Sequence, residues 1–149
     1  MKLSIISTVP TERERVFAAL VDPAVLRRCI PGCEDLTETA PDAYIAKLRV
    51  GVAGLKGAYT GSAIVQDKQP PDLLTLVFDG KGTPGFVRGT AVIGLLAQGA
   101  ETRVDCVADV HVGGLIAAVG SRIVEAAAKK VAEDFFRQLS RELTGVAGQ

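Results

Sequence analysis

Three cysteines, a single histidine and two tyrosines are the residues of this chain with the widest chemical repertoire. Cys29 and Cys33 flank an Ile-Pro-Gly turn in "LRRCIPGCEDL" (26–36). Structural zinc needs four ligands, and the only other soft donors are Cys106 and His111. Those two lie five residues apart in a segment that alternates as one strand, so they face opposite sides and cannot share an ion. No metal ligand is expected. The C-x3-C spacing differs from the C-x-x-C of thioredoxin-like redox pairs, and no βαβ pattern surrounds it. A disulfide across the turn is sterically open to the pair, but two small, partly buried thiols beside a turn is the simpler reading. On that reading, replacing both with alanine or serine leaves folding intact.

"GKGTPG" (80–85) spells G-x-G-x-x-G. A dinucleotide fingerprint must follow a strand and open a helix, whereas "FVRGTAVIGLL" after it alternates as a strand, so a hairpin loop is expected. Asp109 and His111 share a face two residues apart, on a strand surface exposed to water. Tyr44 and Tyr59 are the remaining candidates, for a cyclase- or hydrolase-like enzyme, but buried tyrosines usually pack with the hydroxyl satisfied locally. No nucleophile, base and orienter converge, and no catalytic residue is assigned.

Composition narrows the classes further. Seventeen basic residues balance seventeen acidic ones in 149, so no basic footprint for nucleic acid is present. Hydrophobic residues make up 48% with no tryptophan, which dictates an aliphatic core in a chain long enough for one domain over 1–149. "MKLSIISTVPTERE" lacks the long apolar run of a signal peptide, and "VGGLIAAVG" (112–120) falls short of the ~20 residues that span a bilayer. A cytoplasmic protein with reduced thiols and no cofactor is expected.

The elements that position these residues follow from periodicity. "KLSIISTV" alternates as a strand. "PTERERVFAALVDP" turns helical, with Thr11 and Glu14 at capping-box spacing and Asp22-Pro23 restarting a second short helix that must end before Pro31. Alternating runs then recur near 33–39, 43–52, 59–66, 73–79, 86–96 and 102–112, separated by short Gly- and Pro-rich turns, so neighbours are antiparallel. After Gly113-Gly114 a helix is expected over 115–143, with Ile116, Val119, Ile123, Ala127, Val131, Phe135 and Leu139 down one face and a short tail at 144–149. The class is α+β, in the order β-α-α-β6-α: a curved seven-stranded antiparallel sheet wrapped around the long helix.

Alternation assigns the side chains that face this helix. They include Tyr44, Ala46 and Leu48; Tyr59, Gly61 and Ala63; Leu76 and Phe78; Gly89, Ala91 and Ile93; and Cys106 and Ala108. Many are small. Either the helix approaches the sheet closely, or an apolar cavity remains, with Ile116, Val119 and Ile123 as its helical wall. Glycines loosen the seam beside the helix, so a portal is expected at the "GLKG" (54–57) and "GKGTPG" tips and the helix start. Its rim would be Val52, Leu55, Phe86 and Leu115, and its hinges Gly113, Gly114 and Gly120.

The element order resembles the helix-grip fold of the START-like (SRPBCC) superfamily. "CIPGCEDL", "VGVAGLKGAYTGSAIVQDKQPP" and "VHVGGLIAAVGSRIVEAAAKKVAEDFF" are similar to the carbon monoxide dehydrogenase G-subunit (CoxG-like) family, over about residues 2–143. The resemblance makes the Pro31-Gly32 turn architectural. It implies a non-enzymatic accessory protein that binds an apolar small molecule, a quinone or lipid, and serves a molybdenum-containing carbon monoxide or aerobic dehydrogenase. Maturation, membrane recruitment and coupling to the quinone pool are the implied roles. The alternative is a docking or assembly module with a filled core. Some family members carry a membrane-reaching C-terminal extension, but this chain ends at "LTGVAGQ", so at most transient contact at the inner membrane face is expected, by a monomer or homodimer.

Overall fold

The computed structural model describes residues 1–52 and 55–145. Its elements are β1 (Lys2–Val9), α1 (Arg13–Leu20), α2 (Pro23–Cys29), β2 (Cys33–Ala40), β3 (Ala43–Val50), β4 (Gly57–Gln69), β5 (Leu73–Gly82), β6 (Gly85–Gln98), β7 (Glu101–Gly114), α3 (Leu115–Ala118) and α4 (Ser121–Thr144). The strands form one sheet in the order β1-β7-β6-β5-β4-β3-β2, antiparallel throughout. Every neighbour is sequential except β1, which closes onto β7, and the expected α+β arrangement is the one observed.

Local chemistry explains most boundaries. Asp22 caps α2 by accepting from the Ala24 amide at 3.0 Å, with Pro23 at the first helical position. The capping box expected at Thr11 does not form. Glu12 is the N-cap of α1 without a side-chain bond, and Thr11 Oγ1 instead accepts from Arg15 at 3.2 Å. Ile30 leaves the helical region as a residue before proline must, and Gly32 takes φ +73°. A Cβ at Gly32 would collide with the Arg49 carbonyl oxygen, so the reversal into β2 requires glycine. "GKGTPG" is a tight hairpin, β5 running to Gly82 and β6 starting at Gly85.

The helix expected over 115–143 is two helices. Gly120, at φ +93° and ψ 156°, separates α3 from α4. Among the described residues a Cβ there would meet nothing within 4 Å, so its role is backbone conformation and not close packing. The break resets the helical phase. Val124 and Ala127 are buried, while Val119 and Ile123 are 37% and 46% exposed. The stripe read across Gly120 therefore misplaced those two, whereas Ala127, Val131, Phe135 and Leu139 follow it beyond the break.

The inner face of the sheet packs at both ends. At one end Val9, Tyr44, Val65, Leu74, Leu95 and Val104 meet Val16, Phe17 and Leu20 of α1, Cys29 of α2 and Leu139 of α4. At the other, Tyr59 packs with Ile116 and Val124, beside Leu48, Val50 and Leu55. A third cluster, Leu3, Ala91, Ala108 and Val110, covers β1, β7 and β6. Among the described residues no helix is long and apolar enough to cross a membrane.

Candidate functional site

Between those packed ends lies the middle of β3, β4 and β5. Register places Leu36, Ala46, Gly61, Gly80 and Val87 side by side across five strands, on the inner face. Ala46, Gly61 and Gly80 are only half-buried. A Cβ built on Gly61 would approach nothing closer than the Asp79 carbonyl oxygen at 3.7 Å, and on Gly80 only the Val87 carbonyl oxygen, also at 3.7 Å. Among the described residues no side chain stands over either glycine within 4 Å, and this row forms a low strip, a trough, on the inner face. Neighbouring rows are filled. The Tyr59 ring covers its partner Gly82, where a Cβ would come within 2.9 Å of the ring, and the Phe78 ring covers Gly89 at 3.1 Å. Small residues thus have two meanings on this face, and the sequence shows neither: Gly82 and Gly89 carry aromatic rings, whereas Gly61 and Gly80 leave space.

The remaining expected lining residues divide accordingly. Ala63, Leu48 and Phe78 are half-buried in the rows on either side of the trough, whereas Leu76, Ile93 and Cys106, also half-buried, lie two or three rows away and pack against the core clusters. Tyr44, Ala91, Ala108 and Ile116 are buried within the packed clusters and leave no open space of their own. On α4, Ala128 packs against the Leu3–Ala91 cluster and Phe135 against the main core cluster, and Val131 between them is half-buried.

The expected rim is partly displaced. Phe86 stands on the outer face, its ring over Gly113 and 4.2 Å beneath the Arg88 guanidinium. Val52 and Leu55 are half-buried, Leu55 beside Tyr59, and Leu115 is 71% exposed at the start of α3. Gly113 and Gly114 end β7 directly before α3. Gly54 of the expected "GLKG" tip, like Ala53 and the tail beyond Gly145, lies outside the described residues.

The polar groups bordering the trough are already engaged. Tyr44 Oη donates to the Val21 carbonyl at 3.2 Å and Tyr59 Oη to the Leu55 carbonyl at 2.6 Å. Burial raises both phenols above their ordinary pKa, so neither supplies a ready base. His111 is exposed on the outer face, opposite Cys106. Among the described residues no three His, Cys, Asp or Glu side chains group closely enough to hold an ion.

All three cysteines are free thiols. Burial raises each one's pKa, Cys29 to about 11, which disfavours the thiolate that redox and metal chemistry need. The two thiols of the turn are not equivalent. Cys33 donates to the Asp35 carbonyl at 3.3 Å near the surface, whereas Cys29 is 2% exposed in the main core cluster. Cys29→Ser is therefore expected to cost about 1–3 kcal/mol by burying a hydroxyl among aliphatic side chains. Cys33→Ser should stay within ~0.5 kcal/mol. Because the folded state holds Cys29 neutral, its contribution is full below pH 9.0 and is lost as pH rises towards about 11. Chemical denaturation of both variants across that range checks the pair; equal costs would show that Cys29 is not sequestered.

Known structures share this architecture. A conserved protein from Geobacillus kaustophilus is 33% identical and superposes with a TM-score of 0.93, over 97% of this chain and 96% of that one. A START superfamily protein from Mycobacterium smegmatis shares the fold at a TM-score of 0.75 and 13% identity, over 97% of each chain. A protein from Chromobacterium violaceum does so at 0.72 and 13%, over 95% of this chain and 96% of its own. No curated protein sequence matches. Residues 7–144, from β1 to the end of α4, match one family throughout: the chain belongs to the carbon monoxide dehydrogenase G-subunit (CoxG) family.

Proposed function

We propose that this protein is a non-enzymatic accessory component of a molybdenum-containing carbon monoxide or aerobic dehydrogenase, and that it holds an apolar molecule, a quinone or lipid, in the trough over β3–β5. The observation that carries this is the open Ala46–Gly61–Gly80 floor. A concave, largely apolar surface with few free polar groups suits a molecule recognised by shape and burial. The tyrosine hydroxyls are committed to backbone carbonyls, which argues against the cyclase- or hydrolase-like alternative. Maturation, membrane recruitment and electron transfer to the quinone pool are the roles consistent with such a carrier, in the cytoplasm or at the inner membrane face.

A second reading has its own support. The outer face carries Ile45, Ile64, Val77, Val92, Val107 and Ile6, one from each of six strands, in a diagonal stripe whose paired members are Ile64–Val77 and Val92–Val107. All but Val77 are exposed. Such a stripe is what a docking module for the dehydrogenase would present.

Native mass spectrometry of the purified chain, with organic extraction, separates the two. A bound quinone or lipid is expected. We place its route in at α3, which sits between the Gly113-Gly114 and Gly120 junctions, so added ligand should slow hydrogen exchange at 113–120. A ligand-free protein that still captures the dehydrogenase would overturn the carrier in favour of docking.

A further inference from the structure

Away from the trough, a cleft of about 440 Å³ opens at the seam between α2 and α4. Its walls carry Arg27 and Arg28 from the last turn of α2 and Arg137 and Arg141 from α4, with Pro31 in the turn at its end. Among the described residues Asp134 is the single lining carboxylate. Ordinary structural duties account for part of this charge. Arg27 donates to the Glu34 carbonyl at 3.1 Å, and Arg28 bonds Glu142 at 2.6 Å, tying α2 to α4. Both also lie where a helix C-terminus favours cations.

The α4 pair is accounted for only in part: Arg141 lies in the last turn of α4, where cations are favoured, and Arg137 shares Asp134. Arg137 and Arg141 stand one turn apart, and like charges at that spacing repel. Asp134 is shared between Lys130 at 2.8 Å and Arg137 at 2.9 Å, so it offsets little of the cleft's charge. Arg141 has no side-chain partner among the described residues. Elsewhere α4 intersperses its signs, as in the Glu125–Lys129 pair. In a chain with no net charge, four arginines on facing walls are a local concentration that solubility does not require.

We propose that this cleft binds a phosphate-type oxyanion, with Arg137 and Arg141 as the principal donors and Arg27 facing them across the seam. Guanidinium forks match phosphate oxygens geometrically. A phosphomonoester, near −2 at neutral pH, matches the excess of arginines better than a lone carboxylate does. The group comes either from a lipid headgroup ending in a phosphomonoester or from a free small phosphate. This site does not depend on what occupies the trough.

The test uses the full chain. Inorganic phosphate and glycerol 3-phosphate are titrated against amide resonances, and phosphatidylcholine vesicles with and without phosphatidic acid are sedimented with the protein. Saturable shifts are expected at residues 27–30, 32, 33, 137 and 141. The Arg137→Gln/Arg141→Gln double variant should weaken binding about tenfold or more. Lys47→Gln/Lys81→Gln, which removes the same charge from the exposed sheet surface, should leave it within about twofold. Melting temperatures confirm that all variants fold. A response to free phosphates alone assigns a soluble ligand, and to phosphatidic acid vesicles alone a lipid headgroup; either supports the site. Non-saturating shifts spread over the surface, equal loss in both double variants, or binding of a polyglutamate peptide without any phosphate response would overturn it.

Discussion

Leu139→Ala is expected to destabilise the protein by about 2–5 kcal/mol, the largest effect of any single truncation on α4. Leu139 is 0% exposed and sits where α1, α4 and the β1 end of the sheet meet, among Val9, Val16, Phe17 and Val104. Such a void is flanked by a hydrogen-bonded sheet on one side and two helices on the other. Neither can close over it without breaking backbone pairing, which places the cost in the upper part of the range. At roughly 2–4 °C per kcal/mol for a chain of this size, the melting temperature should fall by at least several degrees. Ile123→Ala is the matched control. A strict stripe from Ile116 through Leu139 would make Ile123 core, but the Gly120 break leaves it exposed, so its truncation should cost within ~0.5 kcal/mol. Comparable losses from both would mean that α3 and α4 form one continuous helix in solution.

Gly61→Val is expected to abolish uptake of the apolar ligand without loss of stability. Among the described residues the new Cβ meets only a carbonyl oxygen at ordinary contact distance, and the two γ-methyls extend over the row between Ala46 and Gly80. Valine also suits a strand better than glycine, so stability should hold or rise by up to ~1 kcal/mol. Ala91→Leu provides the contrast. Ala91 is buried against Leu3, Ala108 and Val110, and extra methylenes there should cost about 1–3 kcal/mol through overpacking. Thermal denaturation together with native mass spectrometry reads both quantities. If Gly61→Val still carries ligand, the trough is not the binding site. If it is instead destabilised as strongly as Ala91→Leu, the space over β4 is already filled.

Much of this protein was legible in one dimension because the signals are local. Strand alternation, the Asp22-Pro23 cap and the Pro31-Gly32 reversal each depend on residues within a few positions of one another, and the motifs around 29–36 and 113–122 were enough to point to the family. Tertiary structure decided the rest wherever the deciding partner lies far along the chain. A strand glycine is empty space or a seat for an aromatic ring according to what stands across from it: Gly61 faces Gly80, whereas Gly89 faces Phe78. Cys29 and Cys33 look alike in sequence, yet one lies in the core because α1 and α4 close over it. The phase of α4 turns on the backbone angle adopted at Gly120, which side-chain periodicity does not encode. Arg27 and Arg28 meet Arg137 and Arg141 only because the last helix crosses back to the second, bringing together charges from opposite ends of the chain. Periodicity reports which face a side chain takes, but what that face meets is set by long-range packing.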